Sequence, residues 1–240
     1  MKHVLITGAN TGIGFETARQ MAELGYYIFM GSRDKAKGIE AANKLKDAGL
    51  TNIEALEIDV SNIKSVKHAK AVLESKIEAL DILINNAGIS GEQPQNFSTS
   101  DIENMRRIFD TNFFGVIQTT QQFIPLLKKS NAPTIINVSS EVGSLTMNSS
   151  PLRNPNYNNY NAYGASKSAL NAFTLMLSHE LINTNFRVNS VTPGYTATAL
   201  NNFKGARTPA DGAASVVKAA TNTDANATGK FFKDGNEMLW

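Results

Sequence analysis

The chain has 240 residues, enough for one large α/β domain or two small ones, and its 42% hydrophobic content is ordinary for a protein with a sizeable core. With 23 basic against 21 acidic residues the net charge is +2, so no overall field draws in nucleic acid or an anionic membrane. The absence of cysteine excludes disulfides, thiolate metal sites and thiol catalysis together. No apolar run approaches the ~18 residues of a membrane helix, and no charged-plus-apolar leader precedes the first strand. A cytoplasmic protein without membrane or nucleic-acid partners is expected.

In chain order, Val4-Leu5-Ile6 reads as a first strand, followed by the glycine turn Thr7 to Gly14 and a helix through Glu16, Ala18, Met21 and Leu24. Gly25 ends that helix, and Tyr26 to Met30 is a short buried strand leading into Ser32-Arg33-Asp34. A helix with Ala36, Ile39, Ala42 and Leu45 toward the core closes at Gly49. Ile53 to Val60 is a third strand, and Ser61 or Asn62 caps a helix with Ile63, Val66, Ala69, Leu73 and Ile77 on one face. Asp81 to Ile84 is a fourth strand that ends at Asn85-Asn86-Ala87-Gly88.

A polar segment, 90–100, then leads to a long helix from about Asp101 to Lys129, which Pro125 should bend or end. Thr134 to Val138 is a fifth strand, and the Asn/Pro/Ser-rich loop 147–159 is too polar for core. A helix from about Tyr160 to Leu181 and a sixth strand, Arg187 to Val191, follow, the strand ending at Pro193-Gly194. A helix from Pro209 to Ala220 and a short strand from Lys230 to Phe232 finish the chain. Seven strands alternating with helices predict a mostly parallel sheet covered on both faces: a single doubly wound α/β domain, 1–240, of the Rossmann type. Ligands of such sheets bind beyond the carboxyl ends of the strands, which places Gly8, Ser32-Arg33, Asp59, Asn85-Asn86, Ser140 and Pro193-Gly194 on one rim.

The glycine turn sets Gly8, Gly12 and Gly14 where backbone amides and the positive end of a helix can meet a phosphate. Tyr163 and Lys167 are four residues apart on one helix, so the ammonium lies beside the phenol. A free tyrosine has a pKa of about 10, and a nearby cation lowers it, fitting the residue to move a proton to or from a substrate oxygen. The Ser140 hydroxyl, at a strand end, can hydrogen-bond a carbonyl, and the Asn112 amide inside the long helix can bend it or hold a water. His3, His68 and His179 are scattered without metal spacing, so no metal site is expected, and Phe113-Phe114 read as core.

Together these residues resemble the short-chain dehydrogenase/reductase family over nearly the whole chain. Thr7-Gly8-x3-Gly12-x-Gly14, Asn86-Ala87-Gly88, Asn112, Ser140, Tyr163-x3-Lys167 and Pro193-Gly194 occur in family order. The resemblance implies that Asn112, Ser140, Tyr163 and Lys167 form the catalytic tetrad. Tyr163 would be the acid/base and Ser140 would orient the carbonyl. Lys167 would lower the Tyr163 pKa and bind the nicotinamide ribose, while Asn112 holds a water relaying protons to Lys167. It also implies cofactor contacts at Gly8, Asn10, Thr11, Gly12, Ile13 and Gly14, with Asp59-Val60 at the adenine, Asn86, Ala87 and Gly88 nearby, Pro193, Gly194, Thr196 and Thr198 at the nicotinamide and diphosphate, and Tyr163 and Lys167 contacting the cofactor as well.

Ser32-Arg33 at the end of the second strand suits the 2′-phosphate of NADP(H), since arginine offers a planar fork of donors. If that strand ended a residue or two later, Asp34 would instead play the NAD role. The span from Ser140 to Tyr163 is longer than is usual in the family and resembles a shortened form of the insert in its carbonyl-reductase branch, which leaves monomer and homo-oligomer both open. Leu152, Tyr157 and Tyr160 in that insert either line the substrate pocket or belong to a solvated loop. The expected function is NADPH-dependent reduction of ketones or aldehydes (EC 1.1.1.-) on a small-molecule carbonyl substrate. An NAD-linked alcohol dehydrogenase and a non-catalytic dinucleotide sensor are the alternatives.

Overall fold

The computed structural model describes residues 1–151, 153–224 and 226–240. Its strands are β1 (His3–Ile6), β2 (Tyr27–Ser32), β3 (Ile53–Glu57), β4 (Ile82–Asn85), β5 (Thr134–Val138), β6 (Arg187–Val191), β7 (Phe231–Lys233) and β8 (Asn236–Met238). They form one sheet in the order β3-β2-β1-β4-β5-β6-β7-β8, parallel from β3 through β7 and antiparallel only at β8. Strand order reverses between β1 and β4, and it is outside the carboxyl ends at such a reversal that α/β sheets hold their ligands.

The helices are α1 (Gly12–Glu23), α2 (Lys35–Asp47), α3 (Ile63–Glu74), α4 (Ile102–Phe109), α5 (Gly115–Leu127), α6 (Leu145–Ser149), α7 (Asn161–Glu180) and α8 (Pro209–Ala220). Because side chains alternate across a strand, β1 feeds both faces of the sheet: Val4 and Ile6 pack with α1, α2 and α8, while Leu5 packs with α3, α5 and α7. Phe29 and Leu83 join Leu5 on that second face, and Ile28, Met30 and Ile84 join the first. The strands therefore read as nearly continuous apolar runs, the pattern of a parallel sheet buried on both sides.

Several elements differ from the sequence expectation. Among the described residues the sheet has eight strands, because Asp234 and Gly235, both at positive φ, turn β7 back into β8. The long helix is three pieces, since residues Asp110–Phe114 form a π-helical turn between α4 and α5; Pro125 sits inside α5, which ends two residues later. Ile39 and Ile63 are exposed rather than core. The buried face of α2 is Gly38, Ala41, Ala42 and Leu45, because α2 rests its glycine on Ser32: a Cβ there would lie 2.9 Å from the Ser32 Cβ. Phe114 points outward, its ring edge-on to Phe113. The 147–159 loop includes the end of α6 and most of a 3-10 turn, Pro155–Tyr160. Leu152, one of the insert residues singled out from the sequence, lies outside the described residues.

Candidate active site

The turn after β1 is stitched to the turn after β4. The buried Thr7 hydroxyl accepts from the Asn86 and Ala87 amides, both at 3.0 Å, and the Asn86 carboxamide donates to the Thr7 and Gly8 carbonyls at 2.9 and 3.1 Å. Room for side chains is absent here: a Cβ on Gly8 would lie 2.9 Å from the Ala87 Cα, and one on Gly14 would lie 2.4 Å from the Gly8 carbonyl oxygen. Gly8 and Gly12 also hold positive φ. Among the described residues, the first turn of α1 receives no side-chain cap and carries no acidic residue, whereas Asp34 and Asn62 cap α2 and α3. The amides at the start of α1 and its positive dipole end thus face the rim without a side-chain partner, which is the donor set a diphosphate fits. Asn10, Thr11, Gly12 and Ile13 all reach solvent around this cradle.

At the end of β2 the three polar residues diverge. Ser32 is buried and donates to the Asp34 carbonyl at 2.8 Å, so its hydroxyl turns inward, against the expectation that it joins Arg33 at the rim. Asp34 accepts from the Lys37 amide at 3.1 Å as the cap of α2. Arg33 is exposed and forms no ion pair among the described residues. After β3, Asp59 accepts from the Ser61 amide and hydroxyl at 3.0 and 2.7 Å, and the Val60 carbonyl accepts from Gln118.

The residues expected to form the tetrad lie on the other side of the strand reversal. Lys167 is buried and donates to the Val138 carbonyl at 2.8 Å, with its Nζ 5.7 Å from the centre of the Tyr163 ring. A Cβ on Gly88 would lie 3.6 Å from that nitrogen and 3.3 Å from the Asn112 Oδ1, so the turn after β4 supplies the floor beneath both. Gly143 and Gly164 let the segment after Ser140 lie against α7: their Cβ atoms would meet the Lys167 Cβ at 2.7 Å and the Val142 carbonyl at 3.0 Å. Asn112 occupies the π turn, where its carboxamide accepts from the Ile89 amide and donates to the Ile89 carbonyl, both at 2.9 Å, and donates to the Ser166 hydroxyl at 3.1 Å.

Burial sets the protonation states. It pushes the Tyr163 phenol up to about 12, opposed by a hydrogen bond with Ser140 and reinforced by Tyr160, whose ring stands edge-on at 6.4 Å. It also pulls the Lys167 ammonium down to about 8. The group that lowers the phenol here is Ser140, while the Lys167 Nζ stands over the ring. Of the other insert tyrosines, Tyr157 lies under the Arg153 guanidinium, 5.9 Å from its ring centre.

The turn after β6 closes the rim. Gly194 has positive φ, and the buried Thr196 hydroxyl contacts the Pro193 and Gly194 carbonyls at 3.1 and 3.2 Å. A Cβ on Gly12 would lie 3.3 Å from the Thr198 methyl, which brings this turn over the glycine cradle. Beneath the site, Asn85, Asn137 and Ser190 stand in register on β4, β5 and β6. Asn85 donates to Asn137, and Asn137 and Ser190 both donate to the Thr174 hydroxyl of α7, each at 2.9 Å. The sequence did not single out Asn137, Ser190, Ser166 or Gln95, each of which contacts an expected tetrad residue or lies on or against α7.

Residues 2–208 match the family model described as short chain dehydrogenase. The chain is 30% identical to a (+)-neomenthol dehydrogenase of Capsicum annuum, with 96% of this chain and 95% of that one covered. Among solved structures it resembles an NADPH-bound carbonyl reductase from chicken fatty liver, with a TM-score of 0.87, 25% identity, and coverage of 100% of this chain and 99% of that one. A 3-ketoacyl-(acyl-carrier-protein) reductase from Brucella melitensis, complexed with NADH, gives a TM-score of 0.83 at 29% identity, with 98% of each chain covered.

Proposed function

The chain belongs to the short chain dehydrogenase family, oxidoreductases that bind a nicotinamide dinucleotide, and we propose that within it the protein is an NADPH-dependent reductase of ketones or aldehydes. The observation that carries this reading is the Tyr163 phenol, whose proton affinity Ser140 lowers and whose ring centre lies 5.7 Å from the buried Lys167 Nζ. When bound, a nicotinamide dinucleotide supplies a hydride. Gly8 through Gly14, Asp59-Val60, Asn86 to Gly88, Pro193-Gly194, Thr196 and Thr198 would hold it.

The chain's own groups would do the rest. With a pKa of about 12 the phenol is protonated at neutral pH, yet it is still a far stronger acid than an alcohol, so Tyr163 can give its proton to the oxygen of a carbonyl under reduction. Ser140 would fix that oxygen from the second side. Lys167, at about 8, is a stronger acid than the phenol and can return a proton to Tyr163 downhill. The Asn112 carboxamide is occupied by Ile89 and Ser166, so a water relay at this residue would fall to its backbone. The preference for NADPH rests on the exposed Arg33 and on Asp34 being engaged as a helix cap.

A carbonyl panel run with NADPH and NADH tests the reading. Tyr163→Phe should lower turnover by about 10³-fold while NADPH binding persists, and retained turnover would overturn the mechanism. Arg33→Ala should weaken NADPH far more than NADH in a fluorescence titration; equal weakening would refute the cofactor assignment.

A further inference from the structure

α7 starts at Asn161, so the Tyr163 amide is one of the first-turn donors that no carbonyl of its own helix can satisfy. The residue before the helix, Tyr160, provides no side-chain cap. The acceptor comes instead from 68 residues away: Gln95 Oε1 takes the Tyr163 amide hydrogen bond at 2.9 Å, while Gln95 Nε2 donates to the Ser90 carbonyl at 2.5 Å. Gln95 is completely buried, so both ends of its carboxamide are used where water cannot replace them.

The segment that carries Gln95 is itself strapped down by two other amides. Asn112 accepts from and donates to the Ile89 backbone, both at 2.9 Å, and Asn104 of α4 does the same at Glu92, at 3.0 and 2.9 Å. On the far side, the Ser166 hydroxyl donates to the Tyr163 carbonyl at 2.7 Å and accepts from Asn112. Both peptide groups of Tyr163 are therefore tied to the α4–π–α5 unit, one through Ser166 and one through Gln95.

We infer that Gln95 is a positioning residue for Tyr163, holding the first turn of α7 against the strap 89–95 so that the phenol keeps its place beside Ser140. This rests on Tyr163 being the acid of the proposed reduction, so one readout is kept independent of turnover. Two variants of the full chain separate the roles. Asparagine is one methylene too short to join Ser90 to Tyr163, whereas a protonated glutamic acid has the length to accept from one and donate to the other.

Gln95→Asn should lower kcat by about 10- to 100-fold, since displacements near 1 Å at a reacting group have that effect. Its NADPH Kd should stay within about twofold of the parent, because Gln95 touches none of the glycine cradle. Gln95→Glu at about pH 6 should remain within about fivefold of the parent, its buried carboxyl keeping the proton it needs. In ring-13C tyrosine spectra, with Tyr163→Phe as the assignment, the Tyr163 signal should move in Gln95→Asn while those of Tyr26 and Tyr27 stay.

The inference is overturned if Gln95→Asn turns over like the parent, if Gln95→Glu is as slow as Gln95→Asn, or if kcat and NADPH affinity fall together. An unmoved Tyr163 signal overturns it as well. Should the parent reduce no carbonyl with either cofactor, the proposed function fails, and the Tyr163 signal alone decides the role of Gln95.

Discussion

The two halves of the rim are built differently. The half around β1, β2 and β3 is backbone: glycines at close approach, amides at the start of α1 and short local caps on α2 and α3. The half around β4, β5 and α7 is side chains reaching across long sequence distances, as Gln95 does to Tyr163, Asn112 to Ser166 and Asn137 to Thr174. A backbone cradle is intolerant of added atoms but indifferent to most chemistry. A side-chain assembly tolerates volume better and fails when a donor loses its acceptor.

That contrast can be broken at its hardest point first. Gly14→Ala puts a methyl 2.4 Å from a backbone oxygen, so folding stability should fall by about 3 kcal/mol or more and dinucleotide binding should be lost. Urea titration and cofactor fluorescence check both; a well-folded variant that binds normally would mean the cradle is not built by close approach.

The side-chain half is probed next, through Lys167. Its ammonium sits at about 8 in the fold against an ordinary 10.5, so between those values the unfolded chain holds more protons and stability from this residue rises with pH. The stability difference between the parent and Lys167→Met should therefore shift in the parent's favour by up to about 3 kcal/mol from pH 8 to 10.5. Denaturant midpoints at several pH values measure it, and a flat difference would show that Lys167 is not desolvated.

The smallest effect is expected away from both halves. Arg207 holds Asp234 at 2.8 Å, but the pair is 25% and 46% exposed, so Asp234→Asn should cost about 0.5 kcal/mol and leave cofactor binding alone. A loss of dinucleotide affinity in this variant would extend the functional rim to the β7–β8 turn.

The backbone half was largely legible in the sequence because its signals are local. Glycine spacing, strand periodicity and cap residues each announce themselves within a few positions, and β1, β2, β4, β5 and β6 lie close to their expected places. β8 was signalled too, by Asp234-Gly235, but its three residues, two exposed and Met238 half-buried, carry no apolar alternation. The side-chain half was legible only where a motif fixed it. Gln95 is a polar residue in a polar segment, and nothing local says that it is buried. The inward turn of Ser32 depends on Gly38 packing onto it, and the protonation of Tyr163 depends on burial that spacing cannot report.

The ladder beneath the site gives α7 something like a detent. Its Thr174 hydroxyl donates to Leu170 while accepting from Asn137 and Ser190, so every hydrogen-bonding capacity is filled in one helix position. Sliding α7 by one residue would turn its side chains by about 100° and advance them about 1.5 Å, stranding buried donors on two strands. The helix can tilt or breathe, but its register is discrete. Loops around the mouth can therefore change length or composition without moving the phenol and ammonium relative to the sheet, which leaves the lining of the mouth free to drift over a fixed pair of side chains.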